Sequence, residues 1–312
     1  MGPVDTVDRG TRVVTFERTY PRYHGHIIRP AAEAESLVLQ VMYACAHGRC
    51  TFCGSYVGKS FRLRPLEYIR EDIEGVEAGI KENTTRVFLS DGDVLTIPLG
   101  RMLVILDTLK EQFPRLQRIS AYATPHSLLP LSDDELQQMR QHGLELLYVG
   151  LESGDDTTLA LCGRGLSAAQ QVRAFQKAKK AGMALAVTAI LGLGGVERTE
   201  QHARSTGLAL TAVDPRYIEL VSLMPEPGTR LSEAVRGGQF QVPDSAGLLQ
   251  ELKLILAETH VTSAVFRTNH TPAYLDVGGT LPKDKKVMLK KITNILAGGE
   301  VPPLRPEDLR AL

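Results

Sequence analysis

Tryptophan is absent from this 312-residue chain, aromatic residues make up only 5%, and there are just four cysteines. No apolar run approaches the ~20 residues that a membrane-spanning helix needs, and the first residues form no apolar core of secretory type. Charge of either sign is not in excess: Lys+Arg and Asp+Glu both total 36. A balanced surface argues against general coating of nucleic acid, and no strong nucleic-acid signal is present. The first strand is not followed by Gly-x-Gly-x-x-Gly, so a dinucleotide fold lacks its usual mark. What remains is 43% hydrophobic and 23% charged, the composition of a soluble globular protein, and with no membrane span or signal segment expected the chain reads as cytoplasmic.

The chain alternates between two periodicities. Apolar or β-branched runs recur at Leu37–Tyr43, Arg86–Leu89, Arg118–Ala123, Leu146–Leu151, Ala184–Leu191 and Tyr217–Leu223. Between them lie segments with helical spacing: Pro65–Lys81, Leu99–Phe113, Asp133–Gly143, Ala168–Gly182 and Glu200–Ala212. Ser132 and Ser167 stand where N-caps belong, and Gly143 and Gly182 where helices end. Strand–helix units in series predict a parallel sheet with right-handed crossovers. The expected fold is α/β, a partial (β/α)6 TIM-like barrel with a C-terminal α/β extension. Residues 1–36 read as a lead-in, 37–230 as the core barrel and 231–312 as a cap with a helix, a short strand at Ser263–Arg267 and a final helix.

Three of the four cysteines, Cys45, Cys50 and Cys53, fall within nine residues just after the first strand. Chemistry in such barrels sits at the carboxyl ends of the strands. Crowded thiols in a chain otherwise bare of cysteine point to a metal site in a reducing compartment rather than to disulfides. Thiolates suit an iron–sulfur cluster or zinc. Three cysteines on a [4Fe–4S] cluster leave one iron open. A Cys3His zinc site using His47, or buried thiols without metal, also satisfies the spacing. Cys162 is isolated and reads as a buried structural thiol.

The string Cys45-Ala46-His47-Gly48-Arg49-Cys50-Thr51-Phe52-Cys53-Gly54 resembles the cluster loop of radical S-adenosylmethionine (SAM) enzymes. The first gap is one residue longer than the commoner C-x3-C-x2-C, as in a branch grouped with coproporphyrinogen oxidases and elongator-type proteins. The resemblance implies a [4Fe–4S] cluster on Cys45, Cys50 and Cys53, with Phe52 beside it. It implies that SAM is bound at later strand ends: Asp91, Gly92 and Asp93 where the family has Gly-Gly-Glu, then Ser120 and Tyr122, then Glu152 in Gly-Leu-Glu-Ser-Gly. Gly192 and Gly194 stand in the family's glycine-rich turn, and Leu223 and Met224 where it walls the adenine. Each position also has a plainer reading: an ordinary turn at 91–93, Tyr122 as core, a salt bridge from Glu152 to Arg164, and Leu223-Met224 as core.

The family activity implied is reductive cleavage of SAM to a 5′-deoxyadenosyl radical that abstracts hydrogen from a small-molecule substrate. The electron would come from a donor such as flavodoxin or ferredoxin. A cluster or zinc protein that never cleaves SAM is the alternative. Arg267, Asn269 and His270 follow an apolar strand directly, and are candidates for closing the barrel over substrate or for a capping loop bonded to backbone.

Overall fold

The structure, a computed structural model, describes residues 4–8, 13–17, 20–268 and 277–298. Its frame is one eight-stranded sheet. The strands are β1 (Leu37–Gln40), β2 (Arg86–Ser90), β3 (Arg118–Ala123), β4 (Leu144–Glu152), β5 (Ala184–Leu191), β6 (Tyr217–Ser222), β7 (Ala264–Arg267) and β8 (Gly279–Leu281). They lie side by side in chain order. Strands β1 to β7 run parallel, and β8 returns antiparallel along β7. The sheet thus continues past residue 230.

A strand order that never reverses puts every right-handed crossover on the same face. The connecting helices are α1 (Leu66–Glu74), α2 (Leu99–Gln112), α3 (Asp133–Gln141), α4 (Ala168–Lys180), α5 (Gly195–Val213) and α6 (Ser245–Glu258), with α7 (Lys285–Gly298) after β8. Their apolar sides bury the main core against the sheet, around Leu39, Leu89, Ile105, Leu147, Phe175 and Ile255. Opposite residues of the same strands, among them Val38, Phe88, Tyr122 and Tyr148, form a second cluster on the other face. The rings of Phe88 on β2 and Tyr148 on β4 are 5.9 Å apart at their centroids although β3 runs between them. Two strand spacings measure about 9.6 Å, so these side chains converge as they do inside a curved sheet.

The helix ends follow sequence chemistry. Ser132 accepts from the Glu135 amide at 3.1 Å and Ser167 from the Gln170 amide at 3.3 Å. Gly143 and Gly182 take positive φ of 104° and 87°, which glycine adopts without steric cost. Two expectations change. The helix expected over Pro65–Lys81 breaks into α1 and a short Ala78–Asn83 helix. Gly75 lies at the break, where a Cβ would come within 2.6 Å of the Tyr20 ring. The first strand stops at Gln40, because Met42–Tyr43 turns off to pair antiparallel with Arg62–Leu63. No helix among the described residues is long and apolar enough to cross a membrane.

Candidate functional site

That small antiparallel pair ties the two ends of the cysteine loop together. The Val41 amide bonds to the Ser90 carbonyl at 2.5 Å, and the Arg64 amide to the Val41 carbonyl at 3.2 Å. Buried Arg64 donates to the Gln40 carbonyl at 2.6 Å and pairs with Asp72 at 2.7 Å. Residues 44–61 therefore project from an anchored base at the carboxyl edge of β1 and β2. Cys45, Cys50 and Cys53 are free and half-buried in this loop. Ala44 and Gly48 take positive φ of 59° and 54° to shape it.

The surroundings of the thiols suit a thiolate-held cluster. Gly92, in the turn after β2, backs onto Cys45: a Cβ there would lie 2.5 Å from the Cys45 Cβ. Burial pushes the Cys45 thiol up, while the amides of Gly48 and His47 donate to it and pull the other way. Burial pushes Cys50 to about 11, opposed by the Arg164 guanidinium, whose Nη1 is 3.8 Å from the sulfur. Donors aimed at half-buried sulfurs suit thiolates whose charge a metal offsets. The residues fit the group.

His47 does not join the thiols. Its Nε2 meets the Gly163 carbonyl at 3.0 Å, and its ring stacks on His126 at 4.0 Å. Burial lowers the pKa of both rings, that of His126 to about 4. Among the described residues no three His, Cys, Asp or Glu side chains gather closely enough to hold one metal ion. Cys162 is buried, bonds to the Leu159 carbonyl at 3.4 Å and is pushed to about 12, chiefly by burial.

The strand ends facing the loop are polar. After β2, Asp91 accepts from Gln40 at 2.9 Å, Ser90 at 3.0 Å and Tyr56 at 3.3 Å. Burial raises the pKa of Tyr56, and the Asp91 charge adds to it. Asp93 faces elsewhere. Its oxygens accept from the Thr124 amide and hydroxyl at 3.1 and 2.6 Å and from Ser127 at 2.5 Å, anchoring the short helix Pro125–Leu128. Burial pushes Asp93 up to about 6 against those donors. On β3, Ser120 is buried and bonds to the Val87 carbonyl at 3.4 Å, while Tyr122 lies on the inner face against Phe88.

At the end of β4, Glu152 takes φ 62°, unusual for a residue with a side chain. Its carboxylate folds back over Gly150. Burial raises its pKa and the Arg164 charge opposes the rise. The alternative salt bridge is not what Arg164 makes. This buried guanidinium donates to the Gly150 carbonyl, to Gln171 at 3.2 Å and to Cys50. It spans the cysteine loop, β4 and α4. Gly192, after β5, has φ 84° and its amide donates to Glu251 at 2.6 Å. Gly194 opens α5, packed on His202. Leu223 is buried with Ile190 and Leu193, and Phe52 packs against that group. Met224 lies half-buried beside it. Arg267 is exposed at the end of β7, in register with Glu219 of β6. Asn269 and His270 lie outside the described residues.

Gln40, Tyr56, His202 and Glu251 were not singled out from the sequence. Gln40 carried a signal, being the polar end of an apolar strand. Glu251 sits in an amphipathic helix far along the chain and carried none.

Residues 39–205 match the radical SAM superfamily. The chain is 26% identical over 188 residues to an uncharacterized methyltransferase of Pyrococcus horikoshii, covering 59% of this chain but only 39% of that protein. Coproporphyrinogen III oxidase from Escherichia coli, a radical SAM enzyme, superposes with TM-score 0.57 at 17% identity, over 72% of this chain and 52% of its own. The archaeal Elp3 of Methanocaldococcus infernus superposes with TM-score 0.51 at 16% identity, over 85% and 64%. The chain thus spans about two fifths of the length of the curated relative it matches, and the structural likenesses at these identities establish fold. The sequence match reaches across the cysteine loop and the strand ends after it, over more than half the chain, and by it the chain belongs to the radical SAM superfamily.

Proposed function

We propose that this enzyme cleaves SAM reductively at a [4Fe–4S] cluster held by Cys45, Cys50 and Cys53, and directs the resulting radical to a small-molecule substrate. The observation that carries this is the anchored loop of three free thiols at the carboxyl edge of the sheet, with amide donors at the Cys45 sulfur and the Arg164 guanidinium at that of Cys50. When bound, the cluster and SAM supply one-electron cleavage of the sulfonium C–S bond and a 5′-deoxyadenosyl radical for hydrogen abstraction.

The protein's part is to hold, orient and shelter. Gly92 lets the β2 turn approach the loop, and the Asp91 carboxylate beside it is placed to accept from an ammonium group. Glu152, raised by burial, is placed to accept from a hydroxyl or ammonium of SAM. Arg164 donates to the Cys50 sulfur and fixes the loop against β4. Phe52, Ile190 and Leu223 form an apolar wall beside the Gly192 turn. Tyr122 lines the inner face on which substrate would lie, and Tyr56 reaches from the cysteine loop to Asp91. The electron comes from a donor of the flavodoxin or ferredoxin kind, and a cytoplasmic site fits the free thiols.

Anaerobic reconstitution, dithionite and SAM should give 5′-deoxyadenosine and methionine by mass spectrometry, and a Cys50→Ala variant should give neither. A fully loaded iron–sulfur protein that binds but never cleaves SAM with reductant and candidate substrates present would favour the electron-transfer alternative. Stoichiometric zinc with no uptake of iron would overturn the reading.

A further inference from the structure

A polar network with no exposed member lies behind the two glutamate- and glycine-bearing turns just described. Ser153, His202 and Glu251 are all 0% exposed. The Ser153 hydroxyl is 2.7 Å from His202 Nδ1 and accepts from the Asp155 amide at 3.0 Å. His202 Nε2 is 3.1 Å from the Ile190 carbonyl and 3.3 Å from Glu251 Oε1. The same Oε1 accepts from the Gly192 amide at 2.6 Å.

The donors and acceptors assign the protons. His202 Nε2 faces two acceptors, so it must carry a proton, and in the neutral ring Nδ1 is then the acceptor to which the Ser153 hydroxyl donates. The Nε2 proton is shared between the Ile190 carbonyl and the Glu251 carboxylate. Glu251 Oε2 alone has no partner among the described residues. Groups this deep are costly unless joined, and the bonds they do make hold what they touch. It is not a hydrolytic triad, because the serine meets Nδ1 rather than Nε2 and no solvent or substrate reaches it.

What it touches are two strand ends. Ser153 directly follows Glu152, and Gly192 begins the glycine-rich turn after β5. The connecting groups come from behind the sheet, His202 from α5 and Glu251 from α6. Both turns press on those helices: a Cβ on Gly154 would lie 2.1 Å from the Ser205 carbonyl oxygen, and one on Gly192 would lie 2.9 Å from Leu248. Glu251 and Leu248 lie beyond the 39–205 match.

We infer that Ser153, His202 and Glu251 form a positioning relay that sets the β4 and β5 turns in the geometry that binds SAM, so that α6 belongs to the cofactor site without touching the cofactor. This rests on the function proposed above. The test uses the full chain, reconstituted anaerobically without reductant, with iron and sulfide content, thermal midpoint and SAM affinity by calorimetry measured for each protein. Glu251→Leu and Ser153→Ala should keep the cluster yet bind SAM about tenfold more weakly, the worth of roughly one hydrogen bond. Glu251→Gln, whose amide oxygen still accepts from Gly192, should restore most of that loss. Wild-type affinity in Ser153→Ala and Glu251→Leu, whatever their thermal midpoints, would overturn the relay, as would Glu251→Gln binding no better than Glu251→Leu. Should Glu251→Leu not fold, Ser153→Ala decides alone. A loaded wild-type protein that does not bind SAM would instead remove the proposed function, and the relay's role with it.

Discussion

Gly92 and Cys45 leave no room for a side chain between them: a Cβ on Gly92 would stand 2.5 Å from the Cys45 Cβ and 2.6 Å from its Cα. Gly92→Ala must displace the loop from the β2 turn. Overpacking of this kind costs about 1–3 kcal/mol, and here it should move a proposed ligand. Iron and sulfide per chain after reconstitution are expected to fall well below wild type, with the far-ultraviolet spectrum unchanged. A full cluster in Gly92→Ala would show that this contact does not govern loading.

Arg164 donates to Cys50 Sγ from a buried position. Positive charge and hydrogen bonds at cluster sulfurs raise the reduction potential. Arg164→Gln should lower the midpoint, on the order of tens of millivolts, in a titration followed by electron paramagnetic resonance. Because the guanidinium also holds Gly150 and Gln171, Arg164→Lys should keep the charge but not the fork, and should recover only part of the potential.

Asp155 caps the helix Asp156–Leu161 that precedes Arg164, and Arg198 grips both its oxygens at 2.9 Å. Burial works to raise this carboxyl, but the Arg198 and Thr158 bonds outweigh it and hold the pKa at about 2 against an ordinary 3.8. A depressed acid stabilises the fold above its unfolded pKa and loses that contribution as pH falls through the folded one. Asp155→Asn, which keeps a capping oxygen, should cost about 2 kcal/mol at pH 7. The difference should shrink between about pH 4 and pH 2. Urea denaturation across pH reads it, and a constant difference would contradict the ion pair.

Arg49 and Arg230 are exposed beside the cysteine loop, the second bonded to the carbonyl of the first at 2.6 Å. An acidic one-electron donor would meet this positive rim. Arg49→Glu should slow turnover supported by flavodoxin, most at low ionic strength, and leave turnover with dithionite alone. Equal slowing with both reductants would place the defect in the loop and not in docking.

The repeating frame was legible because burial of a parallel sheet writes itself as alternating apolar runs and helical stripes, and because Ser132 and Ser167 cap with their hydroxyls while Gly143 and Gly182, lacking a Cβ, take the positive φ that ends a helix. The cysteine loop was legible for the same reason of local spacing. Contacts between distant segments were not. The use of Asp93 as an anchor for Thr124 and Ser127, and of Arg164 as a donor to Cys50 rather than to Glu152, depends on how far apart three-dimensional neighbours lie in sequence. Arg164 lies 114 residues from Cys50, and Glu251 lies 59 from Gly192. The turn at Gln40 was missed because Val41, Met42 and Tyr43 continue the apolar run while their hydrogen bonds go elsewhere.

The pairing of Met42–Tyr43 with Arg62–Leu63 closes the cysteine loop on itself before the main sheet resumes. Its base is held by backbone bonds and by the Arg64–Asp72 ion pair, none of which includes a thiol. Iron can therefore leave without taking the scaffold with it. The base of the socket would thus outlast its cluster, making reloading a matter of refilling rather than refolding.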